Sequence, residues 1–241
     1  MVRLKNQPKL RTNLDTDFLK LIAVLSMTVD HVGAVFFPEY PVFRWIGRMA
    51  FPLFCYCMTV GLLYTHDIRR YLARLGVFAL LSQPFWILAF NADDFLGNLL
   101  NFNIFFTLFV SLLAMWGFKE HNWPLFLGCV LLLAFVNFDY SVTGVMLMLI
   151  FYLCRQIPYG WIGEVAGLAF LNCKLLGGMT IPLTLGSWTL EFPEQGLALL
   201  ALIPIWLYNG RQGAHNKAIQ YACYAFYPAH MLILALLRMY L

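Results

Sequence analysis

LKLIAVLSMTVDHVGAVFF, residues 19–37, is an apolar segment that indicates the fold class of this chain. It is long enough for a helix that crosses a bilayer, which takes about 20 mostly apolar residues. Its second half nevertheless carries an acidic residue and a histidine, Asp30 and His31. Polar side chains in such a segment are costly unless they face the protein interior or water. The stretch therefore predicts a membrane helix with a polar site built into it.

The composition of the whole chain also predicts a membrane protein. Of the 241 residues, 61% are hydrophobic and 12% are charged, and the mean hydropathy is +0.73. The formal charge of +4 comes from basic residues scattered among short loops, which indicates membrane topology and no nucleic-acid partner. The six cysteines lie in or beside apolar segments, so we expect neither disulfides nor a metal site. Residues 1–241 are predicted to form a single integral membrane domain.

Successive apolar segments predict an all-α, polytopic bundle with about nine spans, within a range of about 8 to 10. The spans are placed at 18–37, 43–64, 71–91, 103–118, 123–138, 142–155, 159–178, 194–208 and 218–238. Residues 179–193 are expected to form an outer loop or a re-entrant segment, because they contain prolines and a glycine.

The distribution of charge predicts that the N-terminus is cytoplasmic. In that orientation the inner loops receive most of the Lys and Arg residues outside the spans, as the positive-inside rule requires. These are Arg3 to Arg11, Arg69, Arg70, Arg74, Lys119, Arg155, Arg211 and Lys217. A rival topology divides residues 159–193 into two crossings and moves Arg211 and Lys217 outside, so the charge rule disfavours it.

His31, Asp30 and Arg48 are the candidate catalytic residues. A histidine can accept and return a proton near neutral pH, although His31 could instead only join helices through a hydrogen bond. Asp30 precedes it directly, so the two side chains point about 100° apart on a helix. Arg48 needs a carboxylate or a wet cavity inside the bilayer, and we expect Asp30 to be its partner. This pair could clamp a substrate or oxyanion, or be purely structural.

The loop THDIRRYLARL, residues 65–75, gathers three basic side chains, Arg69, Arg70 and Arg74. Arginines of this kind can hold the phosphates of a cytoplasmic acyl-CoA. They also suit a simple topology signal with contacts to anionic lipid. Both interpretations stay open from the residues alone.

Further polar residues stand at span borders and in the last span. They are candidate substrate contacts, although aromatic residues also collect at membrane interfaces and histidines also pack between helices. These candidates are Asn103, Asp139, Tyr140, Tyr227 and His230.

Taken in order, several blocks of the chain resemble the TraX family. They are LKLIAVLSMTVDHVGAVFF, GRMAFPLFCYCMTVG with RRYLARL, FNIFFTL, DYSVTGV, and YNGRQG with FYPAH, running from about residue 17 to 238. The resemblance implies a polytopic bacterial inner-membrane protein, whose name-giving member N-acetylates a pilin subunit with acetyl-CoA. The first block is also similar, more distantly, to membrane acyltransferases whose first helix carries a catalytic histidine, here His31. This chain has Ser141 where the family commonly has a glycine.

The resemblance, with the buried His31 and Arg48, predicts an acyl-CoA-dependent acyltransferase. The donor, acetyl-CoA or another acyl-CoA, would enter from the cytoplasm, and a pilin-like amine or a hydroxyl acceptor would come from the periplasmic side. His31 would act as general base or carry the acyl group itself. Arg48 or a backbone donor would stabilise the oxyanion, and Asp30 would orient or neutralise Arg48. The alternatives are a small-molecule or proton-coupled transporter and a non-catalytic chaperone of pilin-like subunits.

Overall fold

The computed structural model of the protein describes residues 14–155, 157–175, 178–185, 188–211, 213 and 217–240. Its α-helices are α1 (Thr16–Phe36), α2 (Val42–Gly47), α3 (Ala50–Tyr64), α4 (Ile68–Phe90), α5 (Ile104–Lys119), α6 (Trp123–Phe135), α7 (Thr143–Cys154), α8 (Gly160–Phe170), α9 (Leu202–Trp206) and α10 (Lys217–Tyr240). Short 3₁₀ segments cover Ala92–Asp94 and Glu194–Ala201, and a π-helical turn covers Leu171–Leu175. The strands β1 (Thr180–Leu185) and β2 (Trp188–Pro193) pair antiparallel. Arg3 to Arg11 lie outside the described residues.

Polar residues at the ends of the apolar segments begin the helices. The Asp15 carboxylate accepts hydrogen bonds from the backbone N–H groups of Asp17 and Phe18, both at 3.0 Å. The Asn103 side chain accepts one from the N–H of Phe105 at 2.9 Å. Such N-caps satisfy donors that the first helical turn leaves unpaired. The ends of α1 and α5 agree with the predicted borders of the first and fourth spans to within two residues.

Four helical segments in the described part of the chain are long and apolar enough to cross a membrane. They are Thr16–Phe36, Val42–Tyr64, Ile68–Phe90 and Tyr221–Tyr240. Shorter apolar helical segments cover Ile104–Lys119, Trp123–Phe135, Thr143–Cys154 and Glu194–Trp206. On α1 and α4 large apolar side chains stay exposed, with Leu25 at 57% and Leu80 at 66%, as expected of surfaces that face lipid.

The chain divides into two compact units, each discontinuous in sequence. The first unit comprises residues 1–56 and 150–213. Within it, α1 packs on α2. The 3₁₀ segment Glu194–Ala201 contacts α2, α8, α9 and the π-turn. The buried Asn172 in the π-turn donates its side-chain N–H to the carbonyl of Leu168 at 2.9 Å. That bond supplies a partner where the regular helical ladder changes.

The second unit comprises residues 57–149 and 214–241. Here α4 packs against both α10 and α5, and α5 packs against α6. The Phe105 ring of α5 stacks on Tyr227 of α10 at a centroid distance of 4.5 Å. Phe102 and Phe138 form an isolated parallel bridge beside these helices. Aromatic contacts between α5 and α10 therefore help to hold this unit together.

The hairpin corrects the prediction of an all-α protein. Residues 180–185 and 188–193 form paired strands, where the sequence indicated an outer loop or a re-entrant segment. In TIPLTL and WTLEFP, large apolar residues alternate with threonine, proline or glutamate, a pattern typical of strands. Their high hydropathy hid this pattern in a chain where apolar runs otherwise predict helices.

Two predicted spans are less regular than a single α-helix. The second span is interrupted, because α2 ends at Gly47 and α3 begins at Ala50. The eighth combines the 3₁₀ segment Glu194–Ala201 with the short helix α9. A 3₁₀ run of 8 residues is uncommon. Such runs often mark a functional hinge or a strained sequence. Gly47 and Glu194, which stand at these two irregular points, both lie near Asp30.

Candidate functional site

Glycines let α1 and α2 approach very closely in the first unit. A Cβ atom on Gly47 would overlap the side chain of Asp30, and one on Gly33 would overlap the side chain of Phe43. Neither position can therefore carry a larger residue without moving its neighbour. This close crossing brings the carboxylate of Asp30 to the backbone of α2, beside the arginines that flank Gly47.

Four charged side chains meet at this crossing, and we call them the charge cluster: Asp30, Arg44, Arg48 and Glu194. Arg44 Nη1 donates to Asp30 Oδ2 at 2.6 Å. Arg48 donates to Glu194 Oε1 from Nη2 at 2.5 Å and from Nε at 2.9 Å. Asp30 interacts electrostatically with both arginines and with Glu194. The formal charges of the cluster cancel, so buried ions are compensated as their desolvation requires.

The Arg48 and Glu194 pair is the more deeply placed of the two. Their side chains are 12% and 5% exposed, whereas that of Arg44 is 36% exposed. Glu194 begins the 3₁₀ segment and its backbone N–H donates to the carbonyl of Met179 at 2.9 Å. This hydrogen bond holds the backbone of Glu194, the residue whose carboxylate orients Arg48.

His31 follows Asp30 directly on α1 and is half-buried. It takes part in at least one interaction within the protein. The second carboxylate oxygen of Asp30, Oδ1, is buried and has no hydrogen-bond partner among the described residues. The charge cluster thus offers a fixed buried guanidinium and a carboxylate oxygen able to accept a further hydrogen bond, and His31 is the next residue after Asp30 on the same helix.

The ion pairs differ from the expected ones. We expected Asp30 to pair with Arg48, but Asp30 pairs with Arg44 and Arg48 pairs with Glu194. Arg48 nevertheless stays within electrostatic range of Asp30. Sequence reasoning placed Glu194 at the first residue of the eighth span and gave it no role. It could have been found by asking which acidic residue opens the apolar stretch from 194 to 206.

The three loop arginines do not converge on one point in the second unit. Arg70 pairs with Asp67 at 2.9 Å, and its side chain is 82% exposed. Arg69 is also exposed. Arg74 is half-buried on α4 and hydrogen-bonds Tyr224. Arg69 and Arg70 therefore suit contact with solvent or lipid headgroups, while Arg74 links α4 to α10.

Asn103 has a structural position in the second unit. It is fully buried, and its amide N–H groups donate to the carbonyl of Ala79 at 3.0 Å and to Gln83 Oε1 at 2.8 Å. Its carbonyl oxygen caps α5. These bonds join α4 to the start of α5 and account for the donors and the acceptor of this side chain.

Tyr227 and His230 lie in the interior of α10. They are 1% and 6% exposed, and their rings meet edge to face at 5.3 Å. His230 also stacks on Phe226, and its Nδ1 lies 3.0 Å from the carbonyl oxygen of that residue. Their contacts therefore include packing within the second unit.

Asp139 lines an open cleft of about 380 Å³ in the second unit. Its walls are Trp86, Asn91, Asn98, Asn101, Phe102, Asn137, Phe138 and Asp139. Tyr140 and Ser141 follow with positive φ angles of 61° and 43°, conformations that glycine adopts more easily. Ser141 Oγ donates to the carbonyl of Leu133 at 2.6 Å, a bond that glycine lacks and that favours serine here.

Comparison with known proteins gives the chain its family. The family model described as TraX protein matches residues 15–238. The chain belongs to the TraX family. This confirms the resemblance found in the sequence blocks, and with the apolar helices it makes the chain a membrane protein.

Two curated relatives of this TraX-family chain match it over regions of very different length. "Probable fimbrial assembly protein FimC, serogroup H1" of Dichelobacter nodosus is 30% identical over 237 residues, which cover 92% of this chain and 95% of that protein. "Uncharacterized protein RP591" of Rickettsia prowazekii (strain Madrid E) is 50% identical over 40 residues, 17% of this chain and 16% of that protein. No solved structure matches the chain significantly.

Proposed function

We propose that this TraX-family protein is an acyltransferase of the bacterial inner membrane that moves an acyl group, most simply acetyl, from an acyl-CoA to an acceptor amine or hydroxyl. The observation that carries the proposal is the buried Arg48, held by Glu194 next to the helix that bears Asp30 and His31. A fixed guanidinium in a low-dielectric site is suited to stabilise negative charge that develops during a reaction.

The chemistry assigns one task to each group. His31 takes a proton from the acceptor nitrogen or oxygen as that atom attacks the thioester carbonyl. Arg48 stabilises the oxyanion that forms, and Asp30 binds the acceptor through the oxygen that has no other described partner. Collapse of the intermediate breaks the carbon–sulfur bond, and the leaving thiolate takes the proton back from His31. A relay through an acyl-histidine uses the same residue as nucleophile.

The relative from Dichelobacter nodosus supports a fimbrial or pilin-like acceptor, because it is named a probable fimbrial assembly protein. An assembly protein could act on its subunit by modifying it or by holding it. The same name therefore also favours the alternative, a non-catalytic membrane chaperone that docks the subunit's apolar helix.

Complementation separates these two functions. Deleting the gene and restoring either the wild type or His31→Ala allows the pilin subunit to be isolated and its mass and assembly measured. We expect the wild type to yield a subunit heavier by one acyl group, and His31→Ala to yield an unmodified one. His66→Ala, which changes an exposed histidine, serves as the control. Assembly restored equally by all variants, with an unmodified subunit throughout, would favour the chaperone.

A further inference from the structure

Arg155 stands at the end of α7 in the first unit with part of its hydrogen-bonding capacity unused. Its Nε and Nη1 atoms are buried and have no hydrogen-bond partner among the described residues. A guanidinium offers five N–H donors in a planar fork, and leaving charged donors buried and unpaired is expensive. Such an arrangement is expected where a ligand completes the hydrogen bonding.

Two tyrosine rings hold this guanidinium in place. The Tyr56 and Tyr208 ring centroids lie 5.8 and 5.9 Å from the guanidinium carbon. The two rings meet edge to face at 5.9 Å. Contacts between a cation and aromatic rings orient the planar group without using its N–H donors. The fork of Arg155 is therefore positioned and still able to donate.

The nearby acidic residue does not use up these donors. Glu164 of α8 is 2% exposed and interacts electrostatically with Arg155. Its Oε2 instead accepts a hydrogen bond from Trp206 Nε1 at 2.9 Å. Glu164 thus offsets part of the cost of burying Arg155 without occupying these N–H donors. An oxyanion of a ligand can therefore bind the fork directly.

The site lies where α1 begins. Tyr208 opens the block YNGRQG, and the next residue, Asn209, donates its backbone N–H to the carbonyl of Leu14 at 2.9 Å. Asp30 lies 14 residues after Thr16, the first residue of α1, about 20 Å further along that helix. The first unit therefore carries Arg155 near one end of α1 and the charge cluster with His31 towards the other.

We propose that Arg155 binds a phosphate group of the acyl donor, an inference that rests on the proposed function. In an acyl-CoA the phosphates and the thioester stand at opposite ends of an extended arm. An arm of that kind suits the separation between Arg155 and His31 along α1. Bidentate contact with a phosphate oxygen pair matches the geometry of the planar fork.

The test is equilibrium binding of acetyl-CoA to the purified full-length protein in detergent. Arg155→Gln is expected to weaken binding roughly 10- to 100-fold, the effect of losing a charged hydrogen bond. Arg155→Lys keeps the charge without the fork and should fall in between. Arg211→Gln, which removes an exposed arginine near the start of α1, should stay within about twofold of the wild type.

Two further arms keep the result interpretable. Adenosine 3′,5′-bisphosphate should compete with acetyl-CoA on the wild type, whereas phosphatidylglycerol micelles should not; competition by the lipid alone would reassign Arg155 to a headgroup. Acetyl-CoA should also protect Arg155 of the wild type from phenylglyoxal, measured by mass spectrometry, which needs no variant to fold. Wild-type binding that Arg155→Gln leaves unchanged, or that Arg70→Gln alone removes, would overturn the assignment and leave the proposed transferase intact. Absence of any binding by the wild type would overturn both.

Discussion

Arg48 and Glu194 form the most deeply buried of the ion pairs between described residues. Taking both ions out of water is costly, and their mutual attraction compensates only while both partners are present. Retaining a buried charged pair does little for stability compared with an apolar pair of similar volume. Its value here lies in holding a guanidinium at a fixed position inside the protein.

Removing one partner of this ion pair should therefore strongly destabilise the protein. Glu194→Gln leaves the Arg48 charge buried without its counter-ion, and we expect a loss of about 3 to 5 kcal/mol in the free energy of unfolding. Asp67→Asn breaks the exposed pair with Arg70 and should lose less than about 1 kcal/mol. Denaturation by SDS in mixed micelles measures both. Equal losses in the two variants would contradict the burial argument.

For single residues, the sequence shows that a buried charged side chain needs a partner more readily than it shows which residue that partner is. That Arg48 requires a carboxylate follows from its place in an apolar segment. Which carboxylate meets it depends on the fold, since Glu194 is 146 residues away along the chain. Asn103 shows the converse, because an asparagine before an apolar run indicates an N-cap as readily as a binding residue.

The crossing of α1 and α2 depends on two glycines. Gly33 and Gly47 leave space that the side chains of Phe43 and Asp30 occupy. In a bilayer, small residues at such crossings allow backbones to approach and gain van der Waals contact. The position of Asp30, and with it the charge cluster, follows from this contact between elements.

Gly47→Ala should disturb the crossing. The added methyl overlaps the Asp30 side chain, and overpacking of this kind typically destabilises by about 1 to 3 kcal/mol. Gly128→Ala is the matched control, because a Cβ on Gly128 of α6 meets nothing within 4 Å. Thermal unfolding in detergent should show a lower midpoint for Gly47→Ala and an unchanged or higher midpoint for Gly128→Ala. A midpoint unaffected by Gly47→Ala would contradict the close crossing.

Helices are the elements that hydropathy predicted well. The predicted third span, 71–91, corresponds to Ile68–Phe90, and the last, 218–238, to Lys217–Tyr240. The hairpin at 180–193 and the 3₁₀ segment at Glu194–Ala201 were not foreseen. In an apolar chain, average hydropathy does not distinguish a strand or a 3₁₀ turn from an α-helix, and long-range contacts decide between them.

For the whole molecule, the charge distribution predicts a cytoplasmic N-terminus. Four described segments are long enough to span, and the expected total of about nine crossings stays a prediction. The family and the membrane character could both be predicted from the sequence. The division into two compact units could not, because each is assembled from distant parts of the chain.

Reporter fusions test the predicted orientation. Alkaline phosphatase joined after Asp94 should be active, since that loop is expected outside. The same reporter joined after Glu120 or Arg211 should be inactive, and green fluorescent protein should give the reverse pattern. Activity after Arg211, with none after Glu120, would instead support the rival topology with two crossings between 159 and 193.

The proposed reaction needs His31 to accept a proton, and acyl transfer by the purified protein measures this need. Purified wild type, His31→Ala and His66→Ala receive radiolabelled acetyl-CoA and purified pilin subunit, and donor binding and label transfer are followed together. We expect all three to bind the donor equally, and transfer by His31→Ala alone to fall roughly 10²- to 10⁴-fold, the contribution of a general base. Equal transfer by wild type and His31→Ala would show that His31 has no part in the reaction.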